Sequence, residues 1–240
     1  MCCLGHYIPA FVKHAAHFGF DCIWLDLEHR NWNPRDVQSI LAFGHLFDID
    51  IMLRPPTLEK TALYRYLEDG ATGLMIPHVN TPEKARKLVD AVKFPPLGDR
   101  GLDSAGLDAD FYVHGSEDYL AAVNDETFLV VQSETPEAIS NADEIAGVKG
   151  VDAIFVGPGD LTLRLKYDQT GLTLEKAIET VAAACKKHGT AWGIPTSCAD
   201  DLAKRISQGG QLLVRGGDFG AMMSFLEEAS GAFDAAIAKG

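Results

Sequence analysis

The chain has 240 residues, 47% of them hydrophobic and 23% charged, the make-up of a globular protein with a full core; it excludes disorder, collagen-like repeats and a coiled coil. The length admits two ordinary domains, or one α/β barrel of about 250 residues. A formal net charge of −13 repels phosphate, which argues against nucleic acid and anionic membrane as partners; an anionic substrate would need a site with its own positive charge.

The chain opens on MCCLGHYIPAF, which lacks a basic leader and a long apolar stretch, so no signal peptide is expected. A first strand, CCLG, is read at 2–5 and a helix at 9–18. A second strand, CIWLD, follows at 22–26, then a helix at 34–46 entered through Asn33-Pro34. The third strand is DIMLR at 50–54, with a helix at 58–69, and the fourth is GLMIP at 73–77, with a helix at 82–92 entered through Thr81-Pro82. Proline in the first turn after a capping residue is a helix-start signal. Residues 94–127, rich in Gly, Pro and Asp, break the rhythm; one short helix is read near 117–123. A loop this long is usually functional or flexible, and lying after strand four it is expected over the active-site face. The fifth strand, FLVVQ, is read at 128–132, with a helix at 136–146. The sixth, DAIFVG, is read at 152–157, and no strong helical signal follows Asp160 until 173–188. AWGIP at 191–195, a helix at 199–208, QLLVRG at 211–216 and a helix at 219–238 complete the series.

The strands are apolar on both faces, as parallel strands covered by helices are. Eight βα units averaging about 30 residues favour a (β/α)8 barrel spanning 1–240 as one domain. An open doubly wound sheet is the alternative, but no strand leads into a GxGxxG turn. No apolar run approaches the roughly 20 residues of a membrane span. The five cysteines, Cys2, Cys3, Cys22, Cys185 and Cys198, are odd in number and form no CxxC pair, so a disulfide framework or zinc site is not expected and a reducing cytoplasm is.

In such a barrel chemistry gathers at the strand C-termini. There the sequence places Asp26-Leu27-Glu28-His29-Arg30, Arg54-Pro55-Pro56, Pro77-His78, Gln132-Ser133-Glu134, Gly157-Pro158-Gly159-Asp160, Pro195-Thr196-Ser197 and Arg215-Gly216-Gly217-Asp218. Glu134 and Asp160 end successive strands, where two carboxylates repel unless a cation lies between them. A hard divalent ion such as Mg²⁺ or Mn²⁺ answers this; helix capping is the alternative. Asp26 stands three residues before His29, close enough to orient its imidazole, against a purely structural histidine. Arg54 ends a buried strand and needs an anionic partner, either Glu28, a substrate or both. No lysine closes an apolar strand, so carbonyl chemistry here relies on a metal rather than an imine. Ser197 and Cys198 have no base nearby in sequence. Gly216-Gly217 is only a weak hint of a phosphate loop.

Together these residues resemble the HpcH/HpaI aldolase family of class II, metal-dependent pyruvate aldolases, such as 4-hydroxy-2-oxoheptanedioate and 2-dehydro-3-deoxyglucarate aldolases. The resemblance rests on FDCIWLDLEH (20–29), LRP (53–55), GATGLMIPHVNTPEKARKLVDAVKFPPLGDRG (70–101) and VVQSETPEAISNADEIAGVKGVDAIFVGPGDL (130–161). It implies Glu134 and Asp160 as ligands of Mg²⁺, Mn²⁺ or Co²⁺, with no organic cofactor. It implies Arg54 on the keto oxygen, His29 as acid/base with Asp26 as its partner, Gln132 near the bound pyruvate, and the amides of Gly159 and Asp160 at its carboxylate. The implied reaction cleaves a 4-hydroxy-2-oxo acid or 2-dehydro-3-deoxy sugar acid to pyruvate and an aldehyde. The resemblance also implies a last helix exchanged between subunits of a trimer or hexamer. Leu27, Arg30-Asn31, the loop after Arg100-Gly101 and Thr162–Lys166 depart from the usual pattern, which bears on the aldehyde side. The alternatives are oxaloacetate decarboxylation on the same scaffold, a non-catalytic binder of acidic metabolites, and a phosphate-sugar isomerase barrel.

Overall fold

The computed structural model describes residues 1–113 and 117–238. Eight parallel strands, β1 (Cys2–Leu4), β2 (Cys22–Asp26), β3 (Asp50–Arg54), β4 (Gly73–Ile76), β5 (Phe128–Ser133), β6 (Ala153–Val156), β7 (Ala191–Pro195) and β8 (Leu212–Val214), pair in sequence order. The ends meet where Cys3 N donates to Gly216 O at 3.1 Å and Arg215 N to Met1 O at 3.0 Å, so the sheet curls into a (β/α)8 barrel. Side chains alternate along each strand. Those facing the barrel axis, including Trp24, Met52, Met75, Val130, Phe155 and Val214, form an interior plug. Those facing outward join a larger core beneath the helices.

The helices begin where their caps dictate. Ahead of α2 (Pro34–Phe47), α4 (Pro82–Val92), α6 (Pro136–Ser140) and α9 (Leu174–His188), the side chains of Asn33, Thr81, Thr135 and Thr173 accept first-turn amides. Each satisfies a donor the helix leaves orphaned. The other helices of this layer are α1 (Pro9–His17), α3 (Lys60–Glu68), α5 (Glu117–Glu126), α7 (Ala142–Ala146), α8 (Pro158–Leu165), α10 (Ala199–Ser207) and α11 (Asp218–Ile237).

Three expectations are corrected. The helix expected at 136–146 is two, α6 and α7. Asn141 separates them at φ −93, ψ 5, its side chain drawn off to donate to Asn80 O at 2.8 Å. Asp160 does precede a helix: it lies in the first turn of α8, which starts directly at Pro158. Gly-Pro-Gly-Asp reads as a turn, yet proline at the first position and a carboxylate in the first turn are also helix-start features. The insert at 94–127 is not over the strand C-termini. It follows α4, which has already returned the chain to the other end of the barrel, and it enters β5 from the N-terminal side. Apart from 114–116, which lie outside the described residues, it forms a 3-10 turn at Leu107–Ala109 and α5. It is held by Arg100 to Asp108 at 2.7 Å and by Lys93, whose Nζ reaches the carbonyls of Asn124 and Thr127. Asp99 reaches α3 through Lys60 at 2.6 Å.

All five cysteines are free. Among the described residues no helix is long and apolar enough to cross a membrane.

Candidate active site

Asp26 and Arg54 end neighbouring strands as register partners, so their side chains meet at one end of the barrel. Arg54 is only 6% exposed. Its Nε and Nη2 each lie 3.0 Å from Asp26 Oδ1, its Nη1 lies 3.0 Å from Glu28 Oε2, and Nη1 also donates to Gln132 Oε1 at 3.4 Å. Beneath it the Trp24 ring lies 4.6 Å from the guanidinium carbon and is braced edge-on by Phe155. A buried guanidinium is tolerable because two carboxylates neutralise it and an aromatic face replaces water. Of its five N–H groups, one on Nη2 has no partner among the described residues and is free for a substrate oxygen.

The Asp26 carboxylate serves a second purpose. Its Oδ1 accepts the backbone N–H groups of Glu28 at 3.1 Å and His29 at 3.4 Å, fixing the turn after β2 as an Asx motif. Asp26 thus reaches the amide of His29 rather than its ring. The carboxylate beside the ring belongs to Glu28, whose Oε2 is 3.6 Å from His29 Nε2, and the imidazole is 57% exposed at the mouth.

Across the barrel mouth, Glu134 follows β5 and is 2% exposed. Its Oε2 lies 2.8 Å from His78 Nδ1 and accepts the His78 backbone N–H at 3.3 Å. Burial pushes the Glu134 carboxyl above its ordinary range; His78 pulls it back, and Asp160 and Glu28 push it further up. Asp160 pairs with Arg164 one turn along α8 at 2.8 Å, and Arg164 Nη1 also reaches Glu134 O at 3.4 Å. Donor atoms of His78, Glu134 and Asp160 all lie within 4.8 Å of one another, so the two carboxylates read from the sequence do converge. Gln132 is buried beside them with its Oε1 on Arg54. Gly159, second residue of α8, faces free space, and the amides of this first turn lack intrahelical acceptors.

The sequence places His78 at a strand end without marking it for a part in the chemistry. The signal was there, since Pro77-His78 follows strand four directly, but residue type only permits, and does not announce, the positive φ of 55 that turns its ring toward Glu134.

The donor set fits a divalent cation. Two carboxylates and an imidazole crowd together, and no lysine or arginine of the described residues forms an ion pair with Glu134. The wall is built to let them do so: a Cβ at Gly157 would fall 2.5 Å from Glu134 Oε1 and 2.8 Å from Gln132 Nε2. Oxygen donors with one nitrogen suit Mg²⁺, Mn²⁺ and the later divalent ions.

Comparison with known proteins agrees with this geometry. Residues 1–223 match the profile of the HpcH/HpaI aldolase/citrate lyase family. The chain is 36% identical over 195 residues to a hydroxypyruvate/pyruvate aldolase of Deinococcus radiodurans, covering 78% of this chain and 69% of that one. It is 35% identical over 193 residues to a 2-keto-3-deoxy-L-rhamnonate aldolase of Escherichia coli K12, covering 80% and 72%. A solved HpcH/HpaI aldolase from Desulfitobacterium hafniense DCB-2 superimposes with a TM-score of 0.88 at 27% identity, covering 96% of this chain and 91% of that one. The chain belongs to the HpcH/HpaI aldolase/citrate lyase family and is a class II aldolase, a carbon–carbon lyase.

Proposed function

We propose that this aldolase cleaves a 4-hydroxy-2-oxo acid or a 2-dehydro-3-deoxy sugar acid to an aldehyde and pyruvate or a close 2-oxo acid. Glu134 and Asp160 would hold the divalent ion, Mg²⁺, Mn²⁺ or Co²⁺, and no organic cofactor is required. The observation that carries this reading is the convergence of Glu134, Asp160 and His78 across the mouth from a buried, pre-oriented Arg54. Relatives named for pyruvate and 2-keto-3-deoxy acid chemistry support the substrate class.

When bound, the ion supplies Lewis-acid polarisation of the keto group. The chain's own residues do the rest. The free N–H of Arg54 meets the keto oxygen as negative charge grows there, and its partners hold it still, so little reorganisation opposes the step. The first-turn amides of α8, at Gly159 and Asp160, face the substrate carboxylate. Gln132 closes the wall beside the 2-oxo acid. His29 takes the C4 hydroxyl proton, the C3–C4 bond breaks, its electron pair passes into the enolate, the aldehyde leaves, and the imidazolium returns a proton to the enolate carbon to give the 2-oxo acid. Glu28, beside the His29 ring, favours the imidazolium so formed, and Asp26 fixes the turn that presents it.

Oxaloacetate decarboxylation draws on the same enolate and is not favoured, both relatives being aldolases by name. Five free thiols support a reducing cytoplasm as the location. An acidic surface argues against nucleic acid and anionic membrane as partners. The α11 helix, from which only Asp218 is buried, supports exchange of this helix between subunits of a homo-oligomer, a trimer or hexamer.

The decisive experiment is a panel of 4-hydroxy-2-oxo acids assayed for pyruvate release with and without divalent metal. Chelator abolishes release and Mn²⁺, Mg²⁺ or Co²⁺ restores it; full activity in excess EDTA overturns the reading. In the same assay His29→Ala lowers kcat far more than it weakens pyruvate binding, whereas equal losses would contradict the base role.

A further inference from the structure

We propose that His78 is a third protein ligand of the divalent ion, joining Glu134 and Asp160 in a set of one nitrogen and two carboxylates. This rests on the metal-dependent reading above and extends its site by a residue from another strand. Three observations carry it.

The first is spacing. Adjacent ligands of an octahedral ion with bonds of about 2.1 Å stand about 3 Å apart. His78 Nδ1 and Glu134 Oε2, at 2.8 Å, already stand at that spacing; the Asp160 carboxylate lies within 4.8 Å of both while paired with Arg164, and would draw in on leaving that partner.

The second is the way the imidazole is fixed. His78 occupies the left-handed region at φ 55, uncommon for residues with a side chain although histidine enters it more readily than most. The conformation is pinned from both sides: its N–H is held by Glu134 and its carbonyl accepts Lys84 Nζ at 2.7 Å. Lys84 stands in the capped first turn of α4, where its own N–H is held by Thr81. Backbone strain held by several contacts marks a position where the ring's direction matters.

The third is the other ring nitrogen. Metal-bound histidines turn their second nitrogen to a carboxylate or carbonyl, which sets the tautomer. His78 Nε2 lies 3.7 Å from Glu28 Oε1, and Glu28 is itself anchored by Arg54. That distance is beyond direct hydrogen-bond reach, but it leaves Nε2 facing a carboxylate while Nδ1, the nitrogen beside Glu134, is the one that points at the candidate ligands.

A nitrogen donor has a consequence that carboxylates alone lack. Mg²⁺ and Mn²⁺ suit oxygen donors, whereas imidazole suits the later first-row ions, so His78 should favour Co²⁺ over Mg²⁺ at this site.

The test is metal binding by the full-length protein, read by calorimetry and by pulsed electron paramagnetic resonance of bound Mn²⁺. Wild type should show ¹⁴N coupling to Mn²⁺. His78→Asn, chosen because asparagine tolerates the left-handed backbone, should lose that coupling and weaken Mn²⁺ and Co²⁺ about tenfold or more. Mg²⁺ affinity should fall much less, so the Co²⁺/Mg²⁺ preference collapses. No nitrogen coupling in Mn²⁺-loaded wild type, or an unchanged preference in a variant with wild-type circular dichroism, overturns the proposal. Glu134→Gln separates the two readings. If it abolishes Mn²⁺ binding while His78→Asn changes nothing, the metal site stands without His78. If neither wild type nor variant binds a divalent ion, the metal-dependent reading falls with it.

Discussion

A methyl group added at Gly157 would press on Glu134 and Gln132 at 2.5 and 2.8 Å, well inside van der Waals contact. One partner must move, and both are buried parts of the candidate site. Gly157→Ala should therefore cost activity before it costs stability. A displacement of about 1 Å at a catalytic group costs on the order of a hundredfold, so kcat/KM should drop by about that factor with a weaker Mn²⁺ affinity and a melting temperature close to wild type. Steady-state kinetics, Mn²⁺ titration and calorimetry on one preparation check all three. Arg54 makes the opposite case. Arg54→Ala strands Asp26 and Glu28 around an uncompensated cavity, and breaking a buried ion pair from one side costs about 3–5 kcal/mol. Activity and stability should fall together there, a pattern urea denaturation and kinetics would distinguish from that of Gly157→Ala. At this scale the sequence exposed Asp26, Arg54, Glu134 and Asp160, because polar groups at the ends of apolar strands stand out. It hid the His78 ring direction and the contact of Asp26 with a backbone amide, since both depend on turn geometry rather than residue type.

Strands were legible at the level of elements for a simple reason: a run apolar on both faces has nowhere to lie but between other strands and a helical cover. Helices were legible where a cap and a proline announced them, and illegible where Gly-Pro-Gly-Asp carries both turn and helix-start features, as at α8. The α9–α10 pair shows how polar contacts join such elements. Arg205, the buried residue of α10, grips Glu175 at the start of α9 at 2.9 and 3.2 Å and Asp201 one turn away at 3.0 Å. Hydrogen bonds from Arg205, Lys204 and Gln208 hold the Glu175 carboxyl down at about 2, against an ordinary 4.5. A carboxyl with a depressed folded pKa stabilises the protein above its unfolded pKa, and that stability drains away as pH falls toward the folded value. Glu175 is well exposed to solvent, so its share is about 1 kcal/mol or less. Arg205→Ala should lower stability at pH 7, and the gap to wild type should narrow between pH 5 and pH 3 as Glu175 takes up its proton in both unfolded chains and in the variant. Urea denaturation at pH 7, 5 and 3 reads this directly; a gap that widens on acidification would contradict the role of Glu175.

For the whole molecule, the helix exchange proposed above turns on the surface of the last helix. The α11 helix runs 20 residues, about 30 Å, and presents Met223, Phe225, Leu226, Phe233 and Ile237, each more than 60% exposed. Burying one such side chain is worth roughly 1.5–3 kcal/mol, so covering this surface by a second copy would contribute several kcal/mol per chain. Its root is fixed to its own barrel: Asp218 accepts the amides of Gly5 and His6 and the His6 ring, and Phe219 stacks 4.6 Å from Arg30. Only the distal part of the helix is therefore free to reach a neighbour. Two glutamates in place of Phe225 and Leu226 would have to be buried without partners in any exchanged arrangement, a cost that outweighs the apolar gain. The double substitution Phe225→Glu, Leu226→Glu should convert an oligomer to a monomer by light scattering after size exclusion. It should leave Mn²⁺ affinity unchanged, since the candidate ligands sit after β4, β5 and β6, on the far side of the mouth from the root of α11. An oligomer of undiminished mass would rule out helix exchange, and a loss of Mn²⁺ binding would show that the metal site is not complete within one barrel.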